Sequence, residues 1–241
     1  MIIHDEDRNV ARGSASHQDG STAVGAAALG YGMWLLYLLV LLNIVIPGTG
    51  LTAAGTHDPV AVLPWVRAHP GLFTLLWVPE LLASLLLVGV VVALDARLGG
   101  PTAGRMRVAS AYGVLGGVFL TGHTLVQNAL IPLASLQVRD RVAADAAFRA
   151  VDAIGGWLTQ GGLFALGLWM LAAGWTTLRT GALPRWTGYG GLLAGALCVL
   201  ALFLGIPLGM LGLLLWSFAL GISFLGRGMR AQPAQMERAA A

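Results

Sequence analysis

Apolar residues in this chain come in six long blocks rather than in alternating stripes. The blocks lie at about 27–46, 71–94, 109–133, 153–178, 187–205 and 208–225. Each is near the roughly 20 residues that an α-helix needs to cross the hydrocarbon core of a bilayer. A membrane-spanning barrel would instead show short segments of alternating polarity. The pattern predicts an all-α integral membrane fold, a bundle of six transmembrane helices forming one membrane domain over residues 26–226. Residues 1–25 are polar, with Asp5, Glu6, Asp7 and Asp19 against Arg8 and Arg12. They lack the basic start and immediate apolar stretch of a secretory signal, and read as a disordered cytoplasmic tail. Residues 227–241 read as a short basic cytoplasmic tail.

The loops have patterns of their own. The first, residues 47–70, contains "HDPVAVLPWVRAHP". Asp58 suits a helix cap and Pro59 the first helical position, while Pro70 blocks continuation. A short helix, broken or whole, is expected on the outer face, with Trp65 at the interface. His57 and His69 flank it as ordinary loop histidines. The connection "LQVRDRVAADAAFRAVD" places Arg141, Asp145 and Arg149 at i, i+4, i+8. Such a ladder favours a helix running on into the fourth span, with Asp152 as a partner for Arg149. Only "IP" divides the last two blocks, which predicts a tight helical hairpin.

Charge adds orientation. Only 10% of residues are charged, against about a quarter in a soluble domain. All 14 basic residues are arginine. With both termini in the cytoplasm, ten arginines lie inside and four outside, as the positive-inside rule favours. The expected location is a bacterial plasma membrane. The net charge of +3 sits in short inter-helix loops and does not point to nucleic acid. Cys198, the single cysteine, can form neither an intramolecular disulfide nor a CxxC site, and reads as a small core residue.

Small residues form ridges. Ala109, Gly113 and Gly117 do so on the third span, Gly191 and Gly195 on the fifth. Such ridges let membrane helices approach closely; Gly99, by contrast, falls in a loop. "RVASAYGVLGG" and "RWTGYGGLLAG" open spans three and five, a short internal echo consistent with duplicated hairpins. Around it, "LRTGALPRWTGYGGLLAGAL" at 178–197 joins a Gly-x-Leu-Pro-Arg turn to a glycine-bearing helix. This resembles an uncharacterised bacterial multi-pass membrane family, a domain of unknown function, with similarity over about 27–226. The resemblance implies no activity and transfers no catalytic residue.

Two ionisable residues fall at depth, Glu80 in "WVPELL" and His123 in "TGHTLVQNALIP". Charged groups near a span's centre cost roughly 2.5–3.5 kcal/mol on insertion scales and tend to face the bundle interior. Pro79 frees a backbone carbonyl one turn earlier. Gln127 shares the His123 face at i+4, and Asn128 lies where the helix unravels before Pro132. Gln160 belongs to the fourth span's inward face. Trp77 and Trp157 stand one turn before Glu80 and Gln160. The expectation is one water-accessible pocket in the outer half of the bundle, between spans two, three and four. Glu80 and His123 are its candidate catalytic pair, and Gln127, Gln160, Trp77, Trp157 and Asn128 its candidate binding residues. The alternative is that these groups are interhelical glue. No metal-ligand spacing appears, and haem would have only His123 at depth, so no cofactor is expected.

Three function classes follow. The first is a membrane protein that binds an apolar or amphipathic small molecule such as a lipid. The second is an intramembrane enzyme acting on a lipid-like or isoprenoid substrate, with Glu80 as acid and His123 as base or orienter. The third is a proton-coupled carrier, which six spans would serve as a homo-oligomer.

Overall fold

The computed structural model describes residues 4–98 and 103–240, with side chains described over 22–52, 55–98 and 104–226. Among the described residues all regular structure is helical. In chain order these are α1 (His4–Val40), a π-helical turn (Leu41–Val45), α2 (Ile46–Gly48), a 3-10 turn (Ala53–His57), α3 (Pro59–Ala68), α4 (Pro70–Leu98), α5 (Ala103–Gln127), α6 (Leu130–Leu136), α7 (Arg141–Thr180), α8 (Arg185–Leu204) and α9 (Ile206–Ala240).

Six stretches are long and apolar enough to cross a membrane: Thr22–Gly48, Pro70–Leu98, Gly104–Leu136, Arg141–Thr180, Arg185–Leu204 and Ile206–Gly226. Large apolar side chains stay exposed on their outer faces, among them Met33, Leu82, Val118, Phe203 and Ile222. So much exposed apolar surface demands lipid rather than water around it. The protein is an integral membrane bundle of six helices. An even number of crossings returns the chain to the end where it began, here termed the terminal end. The loop 47–70, α6 and the start of α7 build the opposite, capped end.

α7 is the spine. Of its apolar window 61% is buried, against 28–50% for the other spans, because α5 and α8 pack on it from two sides. Both contacts are made backbone to backbone. A Cβ at Gly174 would lie 2.7 Å from the Gly188 carbonyl oxygen and 2.9 Å from the Leu192 nitrogen, and one at Gly195 2.7 Å from the Gly167 oxygen. Toward α5, a Cβ at Gly116 would meet Leu166 at 2.6 Å and the Gly162 oxygen at 2.9 Å. Gly117 faces α4, where a Cβ would come 2.5 Å from Val88. The two echoing segments thus both supply ridges to the single helix between them.

Turn chemistry closes the bundle. Gly181 takes the left-handed conformation at φ +66° after α7, and Pro184 then caps α8. Leu183, between them, is buried in the core. Gly205 alone separates α8 from α9, at φ +111° and ψ 154°, a region that side chains other than glycine essentially cannot enter. The hairpin is tighter than the "IP" break suggests, since Ile206 and Pro207 already belong to α9.

The capped end has its own apolar core, with Leu38, Leu63, Val66, Phe73, Leu130 and Phe148 at its centre. α3 forms as its sequence requires: Asp58 accepts from the Val60 N–H at 2.9 Å and Pro59 opens the helix. Trp65, expected at the interface, is buried, and its indole N–H donates to Thr49 at 2.9 Å. Gln137 donates to the Pro59 carbonyl at 3.1 Å and ties α6 to α3. The 40 residues of α7 span about 60 Å at 1.5 Å per residue, so its first turns rise past the hydrocarbon and join this cap. There Arg141 and Asp145 approach to 3.8 Å.

One expectation changes. Asp152 pairs with His57 at 3.1 Å rather than with Arg149, because α7 brings it under the first loop. Within the stretch 1–25, α1 begins at His4, and residues 1–3 lie outside the described residues. No proline interrupts residues 4–40, and extending a formed helix adds one hydrogen bond per residue ordered.

Substitutions at glycines test the spine. Gly174→Leu should abolish assembly, since the atoms it meets are backbone. Gly117→Leu should cost about 1–3 kcal/mol, the usual range for overpacking. Gly30, with nothing within 4 Å of a Cβ, should tolerate leucine. Thermal melting in detergent ranks the three, and equal melting would refute the packing. Gly99 lies outside the described residues.

Candidate functional site

Glu80 follows Pro79 on α4. The proline has no N–H, and the Leu75 carbonyl one turn earlier meets the Tyr37 hydroxyl at a long 3.5 Å. Helix α4 nevertheless stays continuous and turns Glu80 inward, leaving it 6% exposed. Glu80 neighbours the Thr124 hydroxyl on α5, which donates to the Leu120 carbonyl at 3.1 Å and keeps lone pairs to accept from a protonated carboxyl.

His123 lies on the adjoining face of α5. Its Nδ1 is 3.0 Å from the Gly155 carbonyl oxygen on α7. A carbonyl only accepts, so Nδ1 carries the hydrogen and Nε2 of the neutral ring remains an acceptor. Thr159 donates to the same oxygen at 3.0 Å. Trp77 meets the imidazole edge-on, with ring centroids 5.3 Å apart at 70°. Glycine at 155 leaves room for this arrangement: a Cβ there would come 2.7 Å from the Gln127 amide nitrogen and 3.2 Å from His123 Nδ1.

These groups border a cavity of about 150 Å³ lined from α1, α4, α5, α7 and α9. Its walls are mostly apolar, with Leu38, Leu120, Leu163 and Met210 prominent. Its polar groups are Glu80, His123, Thr159, Tyr31 and the indoles of Trp34 and Trp77. The N–H groups of Trp34 and Trp77 are buried without a hydrogen-bond partner. Tyr31 packs on Trp34, with ring centroids 5.6 Å apart. The cavity lies where the bundle core meets the cap core, and Trp34 packs against both. It therefore offers donors, acceptors and an apolar wall to one small guest. An engineered apolar cavity of about this volume holds benzene.

Of the residues singled out by sequence, Glu80, His123 and Trp77 come together around this cavity. Gln127 is buried beside His123, against Gly155. The other three do not take part. Asn128 turns its amide back to the Thr124 carbonyl at 2.8 Å and marks the end of α5. Gln160 is displaced by Thr159, one residue earlier, which takes the inward position. Trp157 is 72% exposed on the bundle exterior. The pocket also extends beyond spans two, three and four. Tyr31, Trp34, Leu38 and Leu42 from the first span and Ile206, Met210 and Leu213 from the sixth complete it. Tyr31, Trp34, Leu38 and Leu42 recur every three or four residues, a helix-face signal that a search confined to ionisable and amide side chains passes over.

The π-helical turn shapes one wall. Its Ile46 N–H reaches the Leu41 carbonyl five residues back. Pro47 supplies no N–H to the ordinary ladder, and the Asn43 amide folds onto the Leu39 carbonyl at 2.8 Å. The wider turn carries Leu42 on the cavity wall.

The model of a family described as a domain of unknown function, DUF4386, matches residues 19–228. The chain belongs to this family. The match takes in all six spans and every residue of the cavity. Comparison with curated proteins and with solved structures finds no match. The family description assigns no chemistry, so the DUF4386 site rests on its geometry. Among the described residues no three His, Cys, Asp or Glu side chains converge as a metal-holding group. Cys198 is buried, its thiol directed to the Gly209 carbonyl at 3.2 Å.

Gly155→Ala should displace Gln127 and strain the His123 contact, costing about 1–3 kcal/mol. Gly156→Ala should be neutral or stabilising, since nothing lies within 4 Å of its Cβ and alanine is the better helix former. Paired melting curves decide it, and equal losses would deny the crowding at Gly155.

Proposed function

We propose that this protein holds one small apolar or amphipathic molecule in the cavity beneath its cap. The reading is supported above all by the mismatch inside that cavity. Its wall is leucine-rich, yet it collects a carboxyl and an imidazole, together with two indole N–H groups that have no hydrogen-bond partner. Buried polar groups are normally satisfied, and mostly apolar pockets with a few placed polar groups are typical of small-molecule sites. A guest with an apolar body and one polar end would cover the wall and engage those groups.

The meeting of Glu80 and His123 at one cavity supports a second reading, acid–base chemistry on a lipid-like or isoprenoid substrate. In either case the placement is in a bacterial plasma membrane with both termini cytoplasmic. The ten-to-four division of arginines supports that orientation.

Native mass spectrometry of protein taken from its own membranes in mild detergent tests the binding. A co-purifying small molecule is expected on the wild type and should fall at least about tenfold on Glu80→Gln, with melting unchanged. Turnover of that molecule in a lipid extract would select the enzyme reading. Lower stability without any bound molecule would reduce Glu80 to packing glue. For orientation, a C-terminal reporter active only outside the cytoplasm should stay silent, and a strong signal would reverse the topology.

A further inference from the structure

A second concavity lies at the other end of the molecule, between α5 and α7, with a volume of about 460 Å³. Val108 and Ala109 from α5 and Leu168 and Ala172 from α7 form its apolar floor. Arg105 and Tyr112 border it on the α5 side. On α7, Leu168, Ala172, Trp175 and Arg179 follow at intervals of four, three and four residues, and so share one helix face. The Arg179 guanidinium lies 4.8 Å from the Trp175 ring centroid. Tyr112 and Trp175 are both about half exposed, as aromatics at headgroup level are. Arg105 lines the groove, and Arg179 lies on the same α7 face as its floor residues, seven positions beyond Ala172 toward the terminal end. Among the described residues, neither belongs to an ion pair with a carboxylate.

We infer that this groove binds an anionic phospholipid, its headgroup phosphate between Arg105 and Arg179 and an acyl chain along Val108, Ala109, Leu168 and Ala172. Charge complementarity selects the occupant. A zwitterionic lipid would fill the floor equally well but gain little net attraction at the mouth, whereas arginine presents paired donors matched to phosphate. The Trp175 ring holds the Arg179 guanidinium level with the headgroups, and the floor gives the chain a seat that an exposed basic loop lacks. Basic pockets between spans are a recurrent form of lipid recognition. The groove is at the terminal end and the cavity beneath the cap is at the other, so this inference does not depend on the proposed function.

The test uses the full chain in detergent, with phosphatidylglycerol and phosphatidylcholine of identical acyl chains added at equal concentration. Native mass spectrometry counts the retained lipid. Each arginine near an anionic lipid is worth roughly fivefold, so about 30-fold preference for phosphatidylglycerol is expected. Arg105→Gln with Arg179→Gln should remove most of it. Arg107→Gln with Arg185→Gln, at the same end but outside the groove, should leave it nearly intact. Val108→Trp fills the floor from an exposed position and should reduce retention with the charges unchanged. Equal retention of the two lipids by the wild type would overturn the inference. So would equal losses in the two arginine pairs, which would mean diffuse attraction to a basic surface. Retention unaffected by Val108→Trp would show that the groove holds no chain.

Discussion

Helix α7 can serve as a spine only because its glycines let neighbouring backbones touch it. In lipid, packing two helices removes no apolar surface from water, so association depends on close contact and on hydrogen bonds. The α7–α8 interface meets that demand with reciprocal glycines, Gly167 against Gly195 and Gly174 against Gly188 and Gly191. The α5–α7 interface does so with Gly116 against Gly162. The site inherits its geometry from these contacts. His123 reaches the Gly155 carbonyl because α5 is drawn that close, and the bond would lengthen with any added side chain at 155. Packing that stabilises the bundle thereby also sets the tautomer of the imidazole.

The cavity arises where this tight packing stops. Toward the terminal end the bundle core closes around Trp169, Leu166 and Val91. Toward the capped end a separate core forms around α3, α6 and the base of α7. The π-helical turn, the 3-10 turn at Ala53–His57 and the break between α5 and α6 at 128–129 interrupt regular α-helix there, so the capped end is assembled largely from short pieces. The two cores leave a space between them, bridged by Trp34. The contact of His57 with Asp152 fastens the loop to α7 above that space. The cavity lies at the seam between the six-helix bundle and a cap of short elements.

Much of this was legible in the sequence because the strongest signals are local. Six apolar blocks of spanning length, the Asp58–Pro59 start of α3, the Arg141–Asp145 pair and the glycine ridges each follow from residue type and spacing alone. The inward direction of Glu80 and His123 was legible for the same reason, as unpaired polarity in an apolar run. What depended on helix rotation was not. Gln160 and Thr159 are neighbours in sequence, and about 100° of rotation per residue decides which one lines the cavity. Trp157 shows the same limit, since an aromatic residue one turn from a polar one serves a pocket or a lipid boundary equally well. The contribution of spans one and six was hidden because Tyr31 and Trp34 lie among residues that lipid would also accept. The His57–Asp152 contact joins residues 95 positions apart, beyond any local rule.

The balance between glue and site turns on magnitudes. An interhelical hydrogen bond in a membrane contributes about 0.6 kcal/mol on average, while an ionisable carboxyl at the centre of a span costs several times that. The Thr124 contact of Glu80 therefore does not offset its placement. The cavity adds a second cost. At roughly 24 cal/mol per Å³, a cavity of about 150 Å³ without an occupant would forgo about 3–4 kcal/mol of packing. A leucine at position 80, with larger side chains on the opposing wall, would remove both costs at once using residues already common in these spans. The sequence retains both. An occupant of the kind proposed above would offset both together, its apolar body restoring the packing and its polar end reaching the two indole N–H groups that have no partner, beside the carboxyl and the imidazole.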